Sequence, residues 1–380
     1  MKILLLGGTG AIGIHLSEKL SQTGHDICIT SRKPHVDKGN IHYICGNAKS
    51  IDFLSDIIHL KCWDVVVDFM CYSTEEFKER LCILLSNTKQ YVFLSSSRVY
   101  AEGKDRLTEK SPRLLEESQD TMYLKTDEYA LYKAREEDVL FSSGFSNYTI
   151  LRPYITYGDN RLPLGIWEKE TWLKRALSGK NIAMPRLFLN KETSLAYGQD
   201  ASTIIAKLIG NPLAIGQIYN IVSNKSQSWK SIAHFYIDEI NRIKGSKVQL
   251  IEFGQCCYSI RQILRCVLYK FHIIKSNYGA YSWNNYQLIY DREYNRVFDD
   301  TKTKSLANDF IFTDNDLGLQ KCIRHFISSP HYDYVNYEWE MVQDRITGDV
   351  TPLSYFPGIS YKLKYILIRY LIPRTFVYSK

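Results

Sequence analysis

The chain has 380 residues, of which 45% are hydrophobic and 23% are charged. This length is enough for one large domain and a smaller lobe, and the composition is that of a folded globular protein rather than a disordered segment. The formal net charge of +7 is concentrated at one end, because no acidic residue follows Asp349 and five basic residues do. We therefore do not predict a nucleic-acid partner.

The nine cysteines are odd in number and scattered, without a CxxC pair. This pattern excludes a disulfide framework and a metal site of ordinary ligand spacing, and it is typical of reduced thiols in a cytoplasmic protein. The opening MKILLLGGTG runs directly into glycines, which predicts a strand and not a signal peptide. No run of 18 apolar residues occurs, so no transmembrane helix is predicted.

Short runs rich in Val, Ile and Leu alternate with helical patterns through the first 150 residues. This alternation predicts an α/β fold, with a doubly wound parallel sheet of the Rossmann type. The predicted strands are 2–6, 26–30, 41–45, 64–68, 91–95 and 148–152, and the predicted helices are 11–23, 50–60, 74–86 and 126–142. The polar stretch 101–126 is longer than a usual connection, so we expect a loop beside a site.

The alternation weakens after residue 153, which indicates a smaller lobe near the carboxyl ends of the strands, where open α/β sheets bind their ligands. The predicted elements there are helices near 166–178, 199–209 and 228–242 and a strand at 217–221. We predict a Rossmann domain over 1–160 and a substrate-binding lobe over 161–350, partly interleaved with it. Residues 351–380 are predicted to form a basic amphipathic tail.

The first strand ends in GGTGAIG, and a helical pattern begins at once. The spacing of Gly7, Gly10 and Gly13 allows a tight turn, a close approach of the backbone to a pyrophosphate, and close packing of helix on strand. The helix then presents free N–H groups to the phosphates, so Ala11 and Ile12 join the glycines as predicted cofactor-binding residues.

The second predicted strand runs into Ser31, Arg32 and Lys33. Rossmann folds that prefer NAD usually carry an acidic residue there for the ribose 2′-hydroxyl, whereas a guanidinium pairs well with a 2′-phosphate. We predict that Ser31 and Arg32 contact the cofactor and favour NADP over NAD. The alternative is a solvated basic loop.

Three later segments add a specific pattern. They are YVFLSSSRVY at 91–100, YALYK at 129–133, and LRP at 151–153 followed by YG at 157–158. Together with the glycine-rich turn they cover about 250 residues. The chain resembles the extended short-chain dehydrogenases/reductases, the NAD-dependent epimerase/dehydratase family of enzymes that modify nucleotide sugars.

The resemblance implies a catalytic triad of Ser96, Tyr129 and Lys133. A tyrosine with a pKa near ~10 is a poor base at neutral pH, but an ammonium group nearby favours its phenolate. Lys133 follows Tyr129 by one helical turn and can supply that charge, and the resemblance implies that it also holds the nicotinamide ribose. Ser96 would hydrogen-bond the substrate oxygen. Tyr132 is the alternative tyrosine, but the spacing to Lys133 selects Tyr129.

The chain departs from the family pattern in three places. Sugar 4,6-dehydratases of this family carry Asp-Glu after the active-site Thr, whereas Ser97 and Arg98 stand here, which disfavours dehydration. Ile155 replaces an Asn that contacts the diphosphate in many members, and Ala101 replaces a Gly. We take Ser97, Arg98 and Tyr154 as candidate substrate contacts.

The end of the chain carries a further pattern. Apolar residues recur at intervals that place them on one helical face beside basic residues. The apolar residues are Leu363, Ile366, Leu367, Tyr370 and Leu371, and the basic ones are Lys362, Lys364 and Arg369. Such a helix can lie on an anionic membrane, but more often it docks on its own domain or on a second subunit. We predict such docking, of which a homodimer is one form, and keep peripheral membrane contact as the alternative.

Three functions remain open. The first is an NAD(P)-dependent isomerase of a nucleotide-activated hexose, either an epimerase or a pyranose/furanose mutase, serving surface polysaccharide biosynthesis. The second is an NADPH-dependent keto-sugar reductase, which Arg32 supports. The third is a non-catalytic NAD(P)- or RNA-binding module, which would not need Ser96, Tyr129 and Lys133 together. We favour the isomerase by analogy, because sugar epimerases dominate the family that the chain resembles.

Overall fold

The computed structural model describes residues 1–254, 268, 285–307 and 310–373. The chain divides into two compact units. The first unit contains Met1–Asn160, Ser194–Ser226 and Arg296–Gly318, and the second contains Arg161–Thr193, Gln227–Asn295 and Leu319–Lys380. Two segments that the sequence analysis assigned to the lobe therefore belong to the first unit, and the tail belongs to the second unit.

The first unit is built on a parallel sheet of seven strands with the spatial order β11-β6-β5-β4-β1-β2-β3, which confirms the predicted α/β Rossmann fold. The strands of the described chain are β1 (Lys2–Leu6), β2 (Asp26–Ser31), β3 (Ile41–Cys45), β4 (Trp63–Asp68), β5 (Thr88–Leu94), β6 (Tyr148–Pro153), β7 (Thr156–Tyr157), β8 (Ile182–Pro185), β9 (Glu192–Thr193), β10 (Ala196–Tyr197), β11 (Gln217–Ile221), β12 (Gln227–Ser228) and β13 (Leu250–Phe253).

The predicted strand at 217–221 is correct in its bounds but was placed in the wrong unit. It is β11, and it pairs in parallel with β6, with Tyr219 opposite Leu151. Both residues are almost completely buried, so the apolar surface of β6 is covered by a strand that comes about 65 residues later in the chain. The smaller pairs are β7 with β10, β8 with β13 and β9 with β12.

Helices of the first unit cover both faces of the large sheet. The helices of both units, in the described residues, are α1 (Gly13–Gln22), α2 (Ile51–His59), α3 (Thr74–Ser86), α4 (Leu114–Glu117), α5 (Thr121–Leu124), α6 (Tyr129–Phe141), α7 (Leu173–Leu177), α8 (Arg186–Leu189), α9 (Gly198–Leu208), α10 (Trp229–Lys244), α11 (Asn285–Gln287), α12 (Thr301–Leu306), α13 (Asn315–Ser328), α14 (Tyr337–Thr347) and α15 (Gly358–Ile366).

The residues of β1 alternate between two hydrophobic cores. Ile3 and Leu5 pack in the core that contains α1 and α9, whereas Leu4 and Leu6 pack in the core that contains α2, α3 and α6. All four side chains are fully buried. An uninterrupted apolar strand is therefore required, because both faces of a central parallel strand are covered.

Two predicted helices begin later than expected. The helix predicted at 126–142 is α6, which begins at Tyr129 because the Glu128 side chain accepts the N–H of Ala130 at 2.8 Å and caps the helix. The helix predicted at 166–178 shortens to α7, because Gly165 adopts a φ of +61° and Leu164 pairs with Trp167 in a turn. The predicted loop 101–126 contains the short helices α4 and α5.

A cluster of ion pairs around Arg175 joins separate segments of the second unit. The fully buried side chain of Arg175, in α7, donates to Glu340 at 2.8 Å, Asp344 at 2.6 Å and Asp349 at 2.8 Å. It thereby connects α7 to α14 and to the segment that precedes the tail. No helix in the described part of the chain has the length and apolar character needed to cross a membrane.

The tail packs on the second unit, but not with the predicted face. Within the helical segment 358–371, Tyr365 and Ile368 are the buried side chains, whereas Leu363, Leu367 and Leu371 of the predicted face are exposed. The polar tip of Tyr365 explains the difference, because its hydroxyl donates to Asp344 at 2.9 Å. A tyrosine can be buried at low cost when its hydroxyl has such a partner.

Candidate active site

The glycine-rich turn lies between β1 and α1 and has the form that the sequence predicts. Gly7 adopts a φ of +71° that other residues rarely adopt. A Cβ atom on Gly13 would collide with the carbonyl group of Gly8, so this position requires close packing of the helix on the turn. A Cβ atom on Gly10 would meet nothing within 4 Å.

This turn fits the pyrophosphate of a dinucleotide. Helix α1 has no side-chain cap at Ile12 and no acidic residue in its first turn, so its positive end is not neutralised locally. The surface around Gly10 is open, and the half-buried Ala11 follows directly. Gly10, Ala11 and Ile12 are the residues that would hold the phosphates with backbone N–H groups.

We expect Gly10→Val to abolish cofactor binding and leave the fold intact. The branched side chain has room in the protein itself, but it would occupy the space into which the phosphates must come. Isothermal titration with NAD and NADP measures the loss, and circular dichroism measures the fold. Thr23→Val, at the exposed opposite end of α1, is the control and should bind cofactor normally. Undiminished affinity of Gly10→Val would contradict the assignment of this turn.

Ser31 ends β2, and the exposed Arg32 and Lys33 follow it. The Ser31 hydroxyl accepts the N–H of Lys33 at 3.2 Å and lies 3.1 Å from the His35 ring nitrogen. The two basic side chains therefore extend from a turn that is ordered by hydrogen bonds. A preference for NADP remains a prediction.

Three consecutive serines follow β5, and they differ in their partners. The hydroxyl of Ser95 donates to Glu137 at 2.5 Å, and that of Ser97 donates to the carbonyl of Arg152 at 2.6 Å. The Ser96 hydroxyl instead accepts the N–H of Arg98 at 3.2 Å. This bond leaves the hydroxyl proton of Ser96 for another acceptor, as the proposed role at a substrate oxygen requires.

Tyr129 and Lys133 lie in the first turns of α6, which packs against the turn that carries Ser96. Tyr129 is half-buried and Lys133 is 1% exposed. Burial by itself lowers the pKa of Lys133, but the charges of Glu136 and Tyr129 outweigh it and raise the pKa above its ordinary value. Lys133 is therefore held as a cation beside the candidate acid/base.

Glu136 is the direct partner of Lys133, and the sequence analysis missed it. Its carboxylate lies 2.9 Å from the Lys133 ammonium, and neither side chain is more than 1% exposed. Burial raises the pKa of Glu136 to about 7. Burial also raises the pKa of Asp68, which accepts the hydroxyl of Tyr91 at 2.8 Å nearby. The charge of the Lys133 ammonium therefore acts on two buried carboxyl groups, those of Glu136 and Asp68.

We expect Glu136→Gln to reduce the pH dependence of stability. The pKa of Glu136 is about 7 in the folded chain against an ordinary 4.5, so the folded state retains a proton that the unfolded chain has lost between these values. The stabilisation by this proton is complete below the unfolded pKa of Glu136 and is lost as the pH rises through the folded pKa. Its size is at most about 3 kcal/mol.

Urea unfolding at about pH 5 and at about pH 8 measures this effect. The wild-type chain should lose more stability between the two conditions than Glu136→Gln. The exposed Glu117, changed to Gln, is the control and should keep the wild-type difference. An unchanged difference in Glu136→Gln would show that Glu136 does not titrate in this range.

A second buried network of hydrogen bonds gives structural roles to two residues of the sequence motifs, Tyr100 and Arg152. Arg152 binds Glu137 with two hydrogen bonds of 2.8 and 2.6 Å and donates to the Tyr100 hydroxyl at 2.9 Å. Tyr100 in turn donates to Asn220 of β11 at 2.7 Å. The tyrosine of the VY segment and the arginine of LRP are thus joined to the last strand by contacts within the fold.

The predicted substrate contacts differ in their positions. Ser97 is fully buried and donates its hydroxyl proton to the carbonyl of Arg152, and its contact with substrate remains a prediction. Tyr154 is 5% exposed and packs against Phe298, with ring centroids 5.2 Å apart. Arg98 lies 5.1 Å from the Tyr129 ring centroid and pairs with Glu128 at 2.5 Å. Of the three, Arg98 is the one that lies next to the candidate acid/base.

Comparison with known families agrees with this geometry. The model of the NAD dependent epimerase/dehydratase family matches residues 3–222. The chain belongs to this family. The matched region includes the glycine-rich turn, Ser96, Tyr129 and Lys133, and it ends just after β11. Residues 223–380 lie outside it.

Two curated proteins are similar over part of the chain. The chloroplast stem-loop binding protein of 41 kDa b from Arabidopsis thaliana is 28% identical over 248 residues, which are 61% of this chain and 61% of that protein. A UDP-N-acetyl-alpha-D-glucosaminuronate decarboxylase from Bacillus cytotoxicus is 24% identical over 180 residues, 41% of this chain and 55% of that protein. The chain thus matches somewhat over half the length of these relatives.

Solved structures of family members have the same fold. The dTDP-glucose 4,6-dehydratase of Bacillus anthracis, in complex with NAD, superposes with a TM-score of 0.60 at 17% identity and covers 87% of this chain and 97% of its own. At that identity the likeness concerns the fold. The epimerase/dehydratase family is NAD-dependent, in agreement with the dinucleotide fit of the glycine-rich turn.

Proposed function

We propose that the chain is an NAD(P)-dependent nucleotide-sugar isomerase of the epimerase type, acting in the cytoplasm in surface polysaccharide biosynthesis. The observation that carries the proposal is the packing of the Ser96 turn against the helix that holds Tyr129 and the buried Lys133 cation. A nicotinamide cofactor held at Gly10, Ala11 and Ile12 would supply the hydride chemistry at the carbinol carbon. The remaining chemistry is proton transfer, for which these three side chains are suited.

Tyr129 is the proposed acid/base. Its phenolate takes the proton of the sugar hydroxyl as the C–H bond is broken, and its hydroxyl returns the proton when the carbonyl is reduced. The Lys133 ammonium stabilises the phenolate form, and the Ser96 hydroxyl donates a hydrogen bond to the reacting oxygen. Proton and hydride both return to the substrate, so the cycle consumes no reductant. A pyranose/furanose mutase is a related alternative at the same site.

A net keto-sugar reductase is the alternative within the same chemistry. It would use the same triad but take its hydride from exchangeable NADPH. The exposed Arg32 and Lys33 after β2 favour this reading, because together they can pair with a 2′-phosphate.

We expect Arg32→Ala/Lys33→Ala to weaken NADP(H) binding about tenfold or more and to change NAD(H) binding little. The reason is that NADP alone carries the 2′-phosphate, and removal of a charge-assisted contact costs about 1.5–3 kcal/mol. Titration with each cofactor measures the two affinities. Lys38→Ala, in the loop before β3, is the matched control. Equal losses of affinity for both cofactors would mean that these side chains do not bind the 2′-phosphate of the ribose.

Binding of structured RNA is a second candidate function. It is favoured by the similarity to the Arabidopsis stem-loop binding protein, which is the more extensive of the two curated similarities. Conversely, the excess of basic residues lies at the chain end, outside the region matched by the family. Fluorescence anisotropy with a stem-loop RNA and with a single strand of the same composition tests this function directly.

The proposed function is tested with the purified full chain. The bound nicotinamide is released by denaturation, and its identity and redox state are determined by chromatography. The chain is then incubated with dTDP-, UDP-, GDP- and CDP-sugars, with and without NADPH. Retained NAD(P)⁺ and sugar isomerisation without added reductant would support the isomerase. Stoichiometric NADPH oxidation would support the reductase, and binding of the stem-loop in preference to the single strand, without sugar turnover, would support the RNA-binding function.

A further inference from the structure

The tail has one face that is fixed to the second unit. Tyr365 and Ile368 are 1% and 0% exposed, and the Tyr365 ring packs against Phe356 with centroids 4.7 Å apart. The Tyr365 hydroxyl also accepts the N–H of Thr351 at 2.8 Å. Arg345 donates to the carbonyl of Ile372 at 2.6 Å, directly after the helical segment of the tail. The helical segment 358–371 is therefore held in one orientation on this unit.

The opposite face of the same segment is a stripe of exposed large apolar side chains, which we call the tail stripe. Its first three members follow each other at intervals of four residues and so lie along one side of the helix, and its last two belong to the π-helical turn Leu367–Leu371. They are Ile359 at 75% exposure, Leu363 at 61%, Leu367 at 39%, Tyr370 at 54% and Leu371 at 67%. Single exposed apolar residues are ordinary, but a continuous stripe on a fixed helix indicates an interaction surface.

Basic residues flank the tail stripe on both sides. At 100° per residue in α15, Lys362 lies on one edge and Lys364 lies on the other, and Arg369 follows in the π-helical turn Leu367–Leu371. Arg369 donates to the carbonyls of Gly348 at 2.8 Å and Asp349 at 3.1 Å, so these partners leave its charge uncompensated. Lys364 is 3.7 Å from the carboxylate of Glu338, a separation that gives only weak neutralisation at a half-exposed site.

We propose that the tail stripe binds the surface of an anionic lipid membrane, with the helix parallel to the bilayer. The apolar side chains would enter the region between headgroups and acyl chains, and the flanking cations would contact the headgroup phosphates. The charge pattern selects this partner. Two tail stripes packed against each other in a dimer would bring like charges together, because no acidic residue follows Asp349. A nucleic-acid backbone would leave the apolar stripe in water.

This proposal is independent of the enzymatic one. The tail stripe belongs to the second unit, whereas Ser96, Tyr129 and Lys133 belong to the first. Membrane binding and catalysis can therefore be tested separately, and failure of either leaves the other unaffected.

Vesicle co-sedimentation of the full chain tests the proposal. One set of vesicles contains phosphatidylcholine alone, and the other contains about a third phosphatidylserine. We expect binding to the anionic vesicles at least about tenfold stronger than to the neutral ones, and weaker at high salt. Leu363→Glu/Leu371→Glu should weaken anionic binding by about tenfold or more, because it places carboxylates in the stripe.

Leu213→Glu is the matched control. Leu213 is also a strongly exposed leucine, at 71%, but it lies in the first unit. This variant should bind vesicles like the wild type, and thermal unfolding should be unchanged in both variants because the replaced side chains are exposed. The proposal is wrong if the wild-type chain does not bind anionic vesicles, or if Leu363→Glu/Leu371→Glu binds them equally well. Light scattering provides a further test. If the wild-type chain is a dimer and Leu363→Glu/Leu371→Glu is a monomer, the tail stripe binds a second copy and the membrane proposal is wrong.

Discussion

Tyr129→Phe is expected to lower turnover by about 10²- to 10⁴-fold, which is the usual contribution of a positioned acid/base. The change removes the ionisable oxygen and keeps the ring, which packs edge-on against Tyr132 with centroids 5.3 Å apart. Cofactor affinity should change little. Turnover is measured by steady-state kinetics on the sugar found in the nucleotide-sugar screen. Cofactor affinity is measured by titration with the nicotinamide cofactor.

Tyr132→Phe is the internal control for this experiment. Tyr132 lies on the same helix, and the Lys133 ammonium is 5.6 Å from its ring centroid, so the variant keeps the surroundings of Lys133. Burial raises the pKa of the Tyr132 hydroxyl far above its ordinary value, which makes it unsuited to exchange protons near neutral pH. This variant should retain most activity. A Tyr129→Phe chain that turns over at the wild-type rate would exclude the proposed mechanism.

Glu137→Ala is expected to destabilise the first unit by about 3–5 kcal/mol, the usual cost of leaving a buried charge without its partner. Glu137 is fully buried and binds Arg152, whose side chain is only 3% exposed. It also pairs with Arg113 at 3.1 Å. The variant would therefore leave the buried Arg152 without the carboxylate that compensates it, whereas Arg113 keeps Glu116 and Asp138 as partners. The midpoint of urea unfolding measures the effect.

Asp138→Ala is the matched control on the next residue. Asp138 pairs with the same Arg113 at 2.6 Å, but its side chain is 46% exposed, so its loss should cost less than about 1 kcal/mol. Glu137→Gln keeps the shape of the side chain without its charge and should fall between the two. Equal stabilities of Glu137→Ala and Asp138→Ala would show that burial does not strengthen the Glu137 pair.

The sequence by itself determined the features that depend on neighbouring residues. The alternation of apolar strands and amphipathic helices predicted the Rossmann fold, and GGTGAIG predicted the turn between β1 and α1, because both follow from local periodicity and backbone freedom. The spacing of Tyr129 and Lys133 gave a shared helical face for the same reason. The roles of these side chains remain predictions for the experiments above.

Only the tertiary structure decided which distant surfaces meet. The strand 217–221 was recognised locally, but its place beside β6 depends on a pairing across about 65 residues. Glu136 and Glu137 look alike in sequence, yet one turns toward Lys133 and the other toward Arg152, because adjacent helical residues point about 100° apart. The tail likewise has two apolar faces. The face with Tyr365 is the one that packs on the second unit, because the Tyr365 hydroxyl finds a buried partner in Asp344.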